Sequence, residues 1–384
     1  MSNSDKVGAR GGTMGSPTSS RLHELSELGQ SVWIDFLSRE MLQTGGLAAL
    51  MRDDAVVGVT SNPTIFQKAI SEGDLYDEQI RTLLDELDDP KEIFWRLAET
   101  DVGTACDLLR SVWGATGGKD GYVSIEVEPG LAGDTEGTIA EARRLHEQIA
   151  KPNLYVKIPA TKEGLPAIEE MIASGRNINV TLTFSLERYS EVAEAYIRGL
   201  ERLVESGGDL SKVASVASFF VSRVDTETDK RLDEIGGHDD LKGKLAVANA
   251  KLAYQRYKEI FSGPRWEALA AKGATTQRCL WASTSTKNPA YSDVLYVDEL
   301  IGPETVNTMP EETIQAFQDH GDVALTLERG IDEAKRLFDQ LAEVGIDYDD
   351  VTRVLEEEGV QKFADSFSEL LDGIAAKRGE LAAA

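Results

Sequence analysis

Histidine and cysteine are scarce in this 384-residue chain, which holds four of the first and two of the second. Cys106 and Cys279 are far apart and neither belongs to a Cys-x-x-Cys pair. That pattern excludes a disulfide framework and a cysteine zinc site, and it fits a reducing compartment. His23, His146, His238 and His320 fall at no metal-ligand spacing, so surface positions are expected for all four. No apolar run reaches the roughly 18 residues of a membrane span. The N-terminus also lacks the apolar core of a signal peptide, so a cytoplasmic location is expected. Bases are outnumbered by acids, 40 to 67, for a formal net charge of −27. Such acidity argues against nucleic acid or an anionic membrane as the main partner. A phosphorylated small molecule would need a local cluster of bases.

Apolar content of 41% is ample for a large core. Length alone suggests two domains, but one α/β barrel reaches this size. Residues 1–20 are rich in Gly, Ser and Thr with almost no large apolar side chain, which reads as a disordered tail. From Arg21 onward, helix patterns alternate with short apolar strands. Strands are expected at 32–36, 56–60, 122–127, 154–159, 177–182, 213–220, 278–282 and 294–297. Helices are expected at 21–28, at 39–51 with an interruption at Gly45 and Gly46, at 164–174 with Gly175 as the C′ residue, and at 331–344. Strand–helix alternation implies a parallel sheet. Eight units suggest a (β/α)8 barrel with additional N- and C-terminal helices, forming one domain over 21–384. A doubly wound open sheet is the alternative. Asp35, Asn62, Glu126, Lys157, Thr181, Ser218 and Ser283 fall within or just beyond strand ends. A barrel gathers those ends at one mouth, whereas an open sheet brings only a few together.

Two motif-like strings fail on inspection. Gly114 to Asp120 resembles a phosphate loop but has Trp113 and Asp120 where glycine and Ser/Thr are required. Asn179-Val180-Thr181 matches a glycosylation acceptor yet lies in a predicted buried strand. What remains is a lysine among carboxylates and amides. In LYVKIPAT, 154–161, Leu154, Val156 and Ile158 alternate with Tyr155, Lys157 and Pro159. If both strand faces are buried, the Lys157 amine is inside the fold, where desolvation disfavours the charged form. A neutral amine attacks carbonyl carbons. An exposed edge-strand lysine is the other reading. Glu126, on the preceding strand, can move protons for imine formation, or can be a structural partner of Lys157. Asp35 can act on a substrate hydroxyl, or can cap a helix.

Several of these strings resemble the transaldolase family. GVTSNPTIF at 58–66 and LYVKIPATKEGLPAIEEM at 154–171 are similar to its two signatures; VSIEV at 123–127, NINVTLTFS at 177–185 and SFFVSRVD at 218–225 follow in order. GVQKFADSFSELL at 359–371 is similar to the longer bacterial members. The resemblance implies a (β/α)8 barrel and transfer of a dihydroxyacetone unit from sedoheptulose 7-phosphate to glyceraldehyde 3-phosphate, giving erythrose 4-phosphate and fructose 6-phosphate. It implies no metal and no organic cofactor; sugar phosphates are the partners. Carried over residue by residue, Lys157 forms the Schiff base. Glu126 shuttles protons through a water that Thr181 helps hold. Asp35 takes the proton of the C4 hydroxyl. Asn62 and Asn179 bond the dihydroxyacetone end, Ser218 lines the pocket, and Arg223 holds the phosphate.

The chain departs from the family pattern after its seventh strand. Where short members carry Ser-x-Arg-Asn, this chain reads Ser283-Thr284-Ser285-Thr286-Lys287-Asn288. Lys287 is expected to take the second phosphate-binding role with Ser283 nearby, as a point charge without the guanidinium fork. A lyase that cleaves fructose 6-phosphate outright and a non-catalytic sugar-phosphate-binding barrel are the competing functions. Nothing in the sequence sets an oligomeric state.

Overall fold

Strands β1 (Gln30–Ile34), β2 (Val56–Thr60), β3 (Tyr122–Glu126), β4 (Leu154–Pro159), β5 (Ile178–Thr183), β6 (Ser215–Phe220), β7 (Arg278–Ala282) and β8 (Thr305–Met309) pair in parallel and in chain order. β8 returns to β1, closing a barrel. This computed structural model describes residues 20–71 and 73–383. The expected tail lies outside the described residues except for Ser20, whose hydroxyl accepts from the His23 amide and caps the first helix.

The strands form where β-branched and aromatic residues run between turns, and every residue of β3, β4, β5 and β6 is buried. Alternation then sorts the side chains. Leu154, Val156 and Ile158 pack outward under the helices, leaving Tyr155 and Lys157 to the interior. Tyr122 and Tyr155 stack there with ring centroids 4.2 Å apart. Gly58 is required by close approach: a Cβ at that position would lie 2.5 Å from the Trp33 ring.

Seven of the eight expected strands are present, with bounds shifted by two residues or fewer. The eighth expectation fails. The apolar run near Val294 forms a short helix, Leu295–Asp298, whose Tyr296 hydroxyl donates to Asp225 at 2.9 Å. The closing strand is Thr305–Met309, whose polar Thr305, Asn307 and Thr308 are buried. Hydrogen bonds inside the barrel meet most of their needs: Thr284 donates to Asn307 Oδ1 at 2.9 Å, Thr305 donates to the Gly302 carbonyl at 2.6 Å, and the Thr308 and Thr60 hydroxyls lie 2.6 Å apart; Asn307 Nδ2 has no partner among the described residues. The helix break at Gly45 and Gly46 is present, as is left-handed Gly175 (φ 74°) beyond the helix Gly164–Ala173. The N-cap following β1 is Ser38, whose hydroxyl accepts from the Met41 amide, so capping is not the work of Asp35.

The barrel's amino end is plugged by polar side chains. Arg278 donates to Asp120 at 3.1 Å and to Ser31 at 2.8 Å, and Asp120 also accepts from Ser31 and the Trp33 indole. At the opposite end, the 36-residue helix Tyr348–Ala383 lies across the mouth. Tyr348 anchors its start, donating to Asn249 at 2.6 Å and accepting from the Leu186 amide at 3.0 Å. Thr64–Ser366 and Lys377–Asp77 contacts, each at 2.8 Å, fasten it further along. Among the described residues, no helix is long and apolar enough to cross a membrane.

Breaking the basal ion pair strands a buried guanidinium, a loss of about 3–5 kcal/mol by the usual scale for removing one partner. Asp120→Ala should therefore lower the unfolding free energy by that amount in a denaturant titration. A loss under about 1 kcal/mol would show that the plug does not hold the barrel.

Candidate active site

A cavity of about 710 Å³ opens at the carboxyl ends of the strands. Lys157 and Thr181 reach it from β4 and β5, with Ser218 beside them from β6. Asp35 and Asn62 follow the ends of β1 and β2. Arg223 sits on the helix after β6, and Ser283 and Lys287 sit on the loop after β7. Eight of the ten residues expected at the site therefore share one cavity.

Lys157 lies 5% exposed. Strand register places it directly beside Glu126 on β3 and Asn179 on β5. Its Nζ is 3.3 Å from Glu126 Oε2 and donates to the Ser61 carbonyl at 3.2 Å. Burial raises the Glu126 pKa, with the charge of Lys157 acting against it. Burial likewise raises Asp35, opposed by Lys157 and by the Thr60 hydroxyl, which donates to Asp35 Oδ1 at 2.6 Å. Two carboxyls biased toward their neutral forms thus flank one amine. Thr181 Oγ1 is buried and makes no hydrogen bond to any described residue.

Glu126 and Asn179 stand behind the cavity wall. Asn179 is fully buried; its amide donates to Ser124 at 3.1 Å and accepts from Ser218 at 2.7 Å. In the structure Asn179 lies beneath Ser218 and is not among the residues lining the cavity. Asn62 Oδ1 accepts from the Ile65 amide at 3.0 Å, capping the helix Pro63–Ser71. Its amide nitrogen remains available to the cavity.

The anion-binding end has a different composition. Arg223 makes no ion pair among the described residues, and the Phe220 ring lies 5.0 Å from its Cζ. Burial lowers its pKa, with Glu126, Asp35 and Glu358 acting in the opposite direction. Lys287 Nζ donates to Ser285 at 2.9 Å rather than pairing with Ser283. Ser283 has left-handed backbone (φ 55°), and its hydroxyl lies 2.9 Å from that of Ser222. Ser283, Ser285 and Lys287 all line the cavity, and Ser285 is the serine bonded to Lys287.

Sequence reasoning missed Thr60 and Thr308, which brace Asp35, although Thr60 lies inside the quoted 58–66 string. It also missed Phe363, whose ring stands 6.0 Å from Lys157 Nζ and 5.9 Å from Arg223 Cζ. No local pattern distinguishes that phenylalanine from other apolar positions of a long helix. His146 corrects the expectation of four surface histidines. It is buried, its Nε2 lies 3.1 Å from the Asn177 carbonyl, and burial pushes its pKa down to about 4. Among the described residues, no group of three or more His, Cys, Asp or Glu is arranged to hold a metal ion.

Removing the amine tests this electrostatic arrangement. In Lys157→Met, Glu126 and Asp35 lose the charge that opposes their raised pKa values. Below the ordinary carboxyl pKa of about 4 both are protonated, folded or unfolded, and no penalty arises. As pH climbs through the raised folded values, the penalty appears and then persists. Denaturant titrations should show the variant losing stability relative to wild type as pH rises above the ordinary carboxyl range. A pH-independent difference would contradict the account.

Comparison with known proteins follows the same lines. Residues 32–374 match the family model described as Transaldolase/Fructose-6-phosphate aldolase. A protein of Frankia alni named "Transaldolase" is 55% identical over 364 residues, covering 94% of this chain and 98% of that protein. One of Acidothermus cellulolyticus with the same name is 58% identical over 351 residues, 91% of this chain and 94% of the relative. A third, from Thermobifida fusca, is 52% identical over 94% of this chain and 98% of its own length. With its buried lysine at the mouth of a closed eight-stranded barrel, the chain belongs to the transaldolase/fructose-6-phosphate aldolase family.

Proposed function

We propose that the protein is a transaldolase that moves a three-carbon ketol unit between sugar phosphates through a Schiff base on Lys157. The observation that carries this reading is the buried Lys157–Glu126 pair at 3.3 Å, with Lys157 and Asp35 lining one cavity. Proton transfer from Lys157 to Glu126 leaves a neutral amine, and the raised Glu126 pKa favours that transfer. The amine attacks C2 of sedoheptulose 7-phosphate to give a carbinolamine. Glu126 returns its proton through a water held by the free Thr181 hydroxyl, and loss of water forms the imine.

Asp35 then removes the proton of the C4 hydroxyl, and the C3–C4 bond breaks. The bond's electron pair goes into the imine, leaving an enamine on Lys157 and releasing erythrose 4-phosphate. The enamine attacks glyceraldehyde 3-phosphate, Asp35 gives back a proton to the new alkoxide, and hydrolysis frees fructose 6-phosphate. Thr60 keeps Asp35 oriented for both transfers. Asn62 and Ser218 bond the hydroxyls of the three-carbon unit, with Asn179 fixing the Ser218 hydroxyl from behind. Arg223, Lys287 and Ser285 hold the terminal phosphate. The reaction as written needs no metal or organic cofactor, because the protonated imine accepts the electrons.

A coupled assay with sedoheptulose 7-phosphate and glyceraldehyde 3-phosphate tests this reading. Erythrose 4-phosphate should form beyond one equivalent per chain only when both sugars are present. Equal turnover without an acceptor would identify a lyase instead. The two acids should separate by step in rapid mixing. Glu126→Gln should slow imine formation by about 10²–10⁴-fold. Asp35→Asn should leave imine formation intact and slow carbon–carbon cleavage. The reverse pattern would exchange their roles.

A further inference from the structure

Four cations ring the outer part of the cavity: Lys68, Arg223, Lys287 and Lys362. None of the four makes an ion pair among the described residues, in a chain carrying 67 acids against 40 bases. Arg223 and Lys287 are accounted for as phosphate ligands above. Lys362 has no such account. It projects from the helix that crosses the mouth, on the face that also carries Leu355, Glu358 and Phe363 toward the cavity. Spacings of three, four, seven and eight residues put these side chains on one stripe.

That helix is pressed close to Arg223. A Cβ built on Gly359 would lie 2.9 Å from Leu182 Cδ2 and 3.6 Å from Arg223 Nη1, so glycine permits the approach. One turn later, Phe363 stands 5.9 Å from Arg223 Cζ. Lys362 is the neighbouring residue and faces the same opening. Glu358, one turn earlier, stands at the favourable i, i+4 spacing. Even so, it forms no ion pair with Lys362.

We propose that Lys362 is a further phosphate-binding residue, supplied by the C-terminal helix, that makes the enzyme select phosphorylated over unphosphorylated acceptor aldehydes. The proposal rests on the transaldolase reading above. Its neighbours' effects agree: Arg223 lowers the Lys362 pKa most, followed by burial and then by Lys287 and Lys68, as expected where like charges converge. A phosphate dianion placed among them relieves that repulsion. The arrangement also offsets the exchange of a guanidinium fork for the point charge of Lys287, by adding a second point charge to the same cavity. Phe363 beside it separates the phosphate end from Lys157.

Two measurements on the full-length protein decide the matter. The first is calorimetric titration of inorganic phosphate into wild type, Lys362→Gln and Lys362→Arg. Lys362→Gln should weaken phosphate binding about tenfold, and Lys362→Arg should restore most of it. The second is the ratio of kcat/KM for glyceraldehyde 3-phosphate to that for unphosphorylated glyceraldehyde. It should fall about tenfold in Lys362→Gln. Unchanged phosphate affinity, or equal losses with both acceptors, would overturn the proposal. Absence of sugar transfer by the wild type would instead defeat the transaldolase reading, and the phosphate titration would still decide whether Lys362 binds the anion.

Discussion

A lysine and a glutamate stand 3.3 Å apart on neighbouring strands with almost no exposure, and the rest of the molecule makes that tolerable. Removing two charges from water costs several kcal/mol each, and their attraction repays it only with good geometry and added hydrogen bonds. The pairing of β3 with β4 fixes that geometry, since Glu126 and Lys157 are register partners. The Ser61 carbonyl supplies one further acceptor. Asp35 adds a second buried carboxyl with a raised pKa, braced by Thr60. The cost of burial is the source of the reactivity, because it brings the acid and base forms of these groups close in free energy.

The two ends of the barrel divide the work. At the amino end, Arg278, Asp120, Ser31 and Trp33 satisfy one another, so the interior polar groups there are spent on rigidity. At the carboxyl end, Thr181 and the ring of cations keep unfilled valences. The crossing C-terminal helix turns an open mouth into a cavity with a wall, contributing Phe363 against the amine and Lys362 at the rim.

Most of the barrel was legible in the sequence because seven strands are apolar runs between turn residues. The eighth was not, since Thr305–Met309 closes the barrel with buried threonines and an asparagine that bond to residues elsewhere in the chain. An apolar run at Val294 drew the expectation instead and folded as a helix. The site shows a similar division. Lys157, Glu126 and Asp35 were legible because an ionisable residue inside or just after an apolar strand has few structural uses. Asn179 falls in the expected strand layer, and its position behind Ser218 is visible only in the Ser218 hydrogen bond. Ser285, which carries no local signature, joins Ser283 and Lys287 at the cavity and accepts from the lysine. Lys362 and Phe363 come from about two hundred residues beyond Lys157 and carry no local signature of their own.

The central claim is that the Lys157 amine is the nucleophile. Its most direct test is borohydride reduction in the presence of fructose 6-phosphate, followed by intact-mass measurement and peptide mapping. The account predicts one reduced three-carbon unit per chain, on the peptide containing Lys157, and no adduct in Lys157→Arg, whose guanidinium stays protonated. An adduct on a different lysine, or full activity in a folded Lys157→Arg protein, would contradict it.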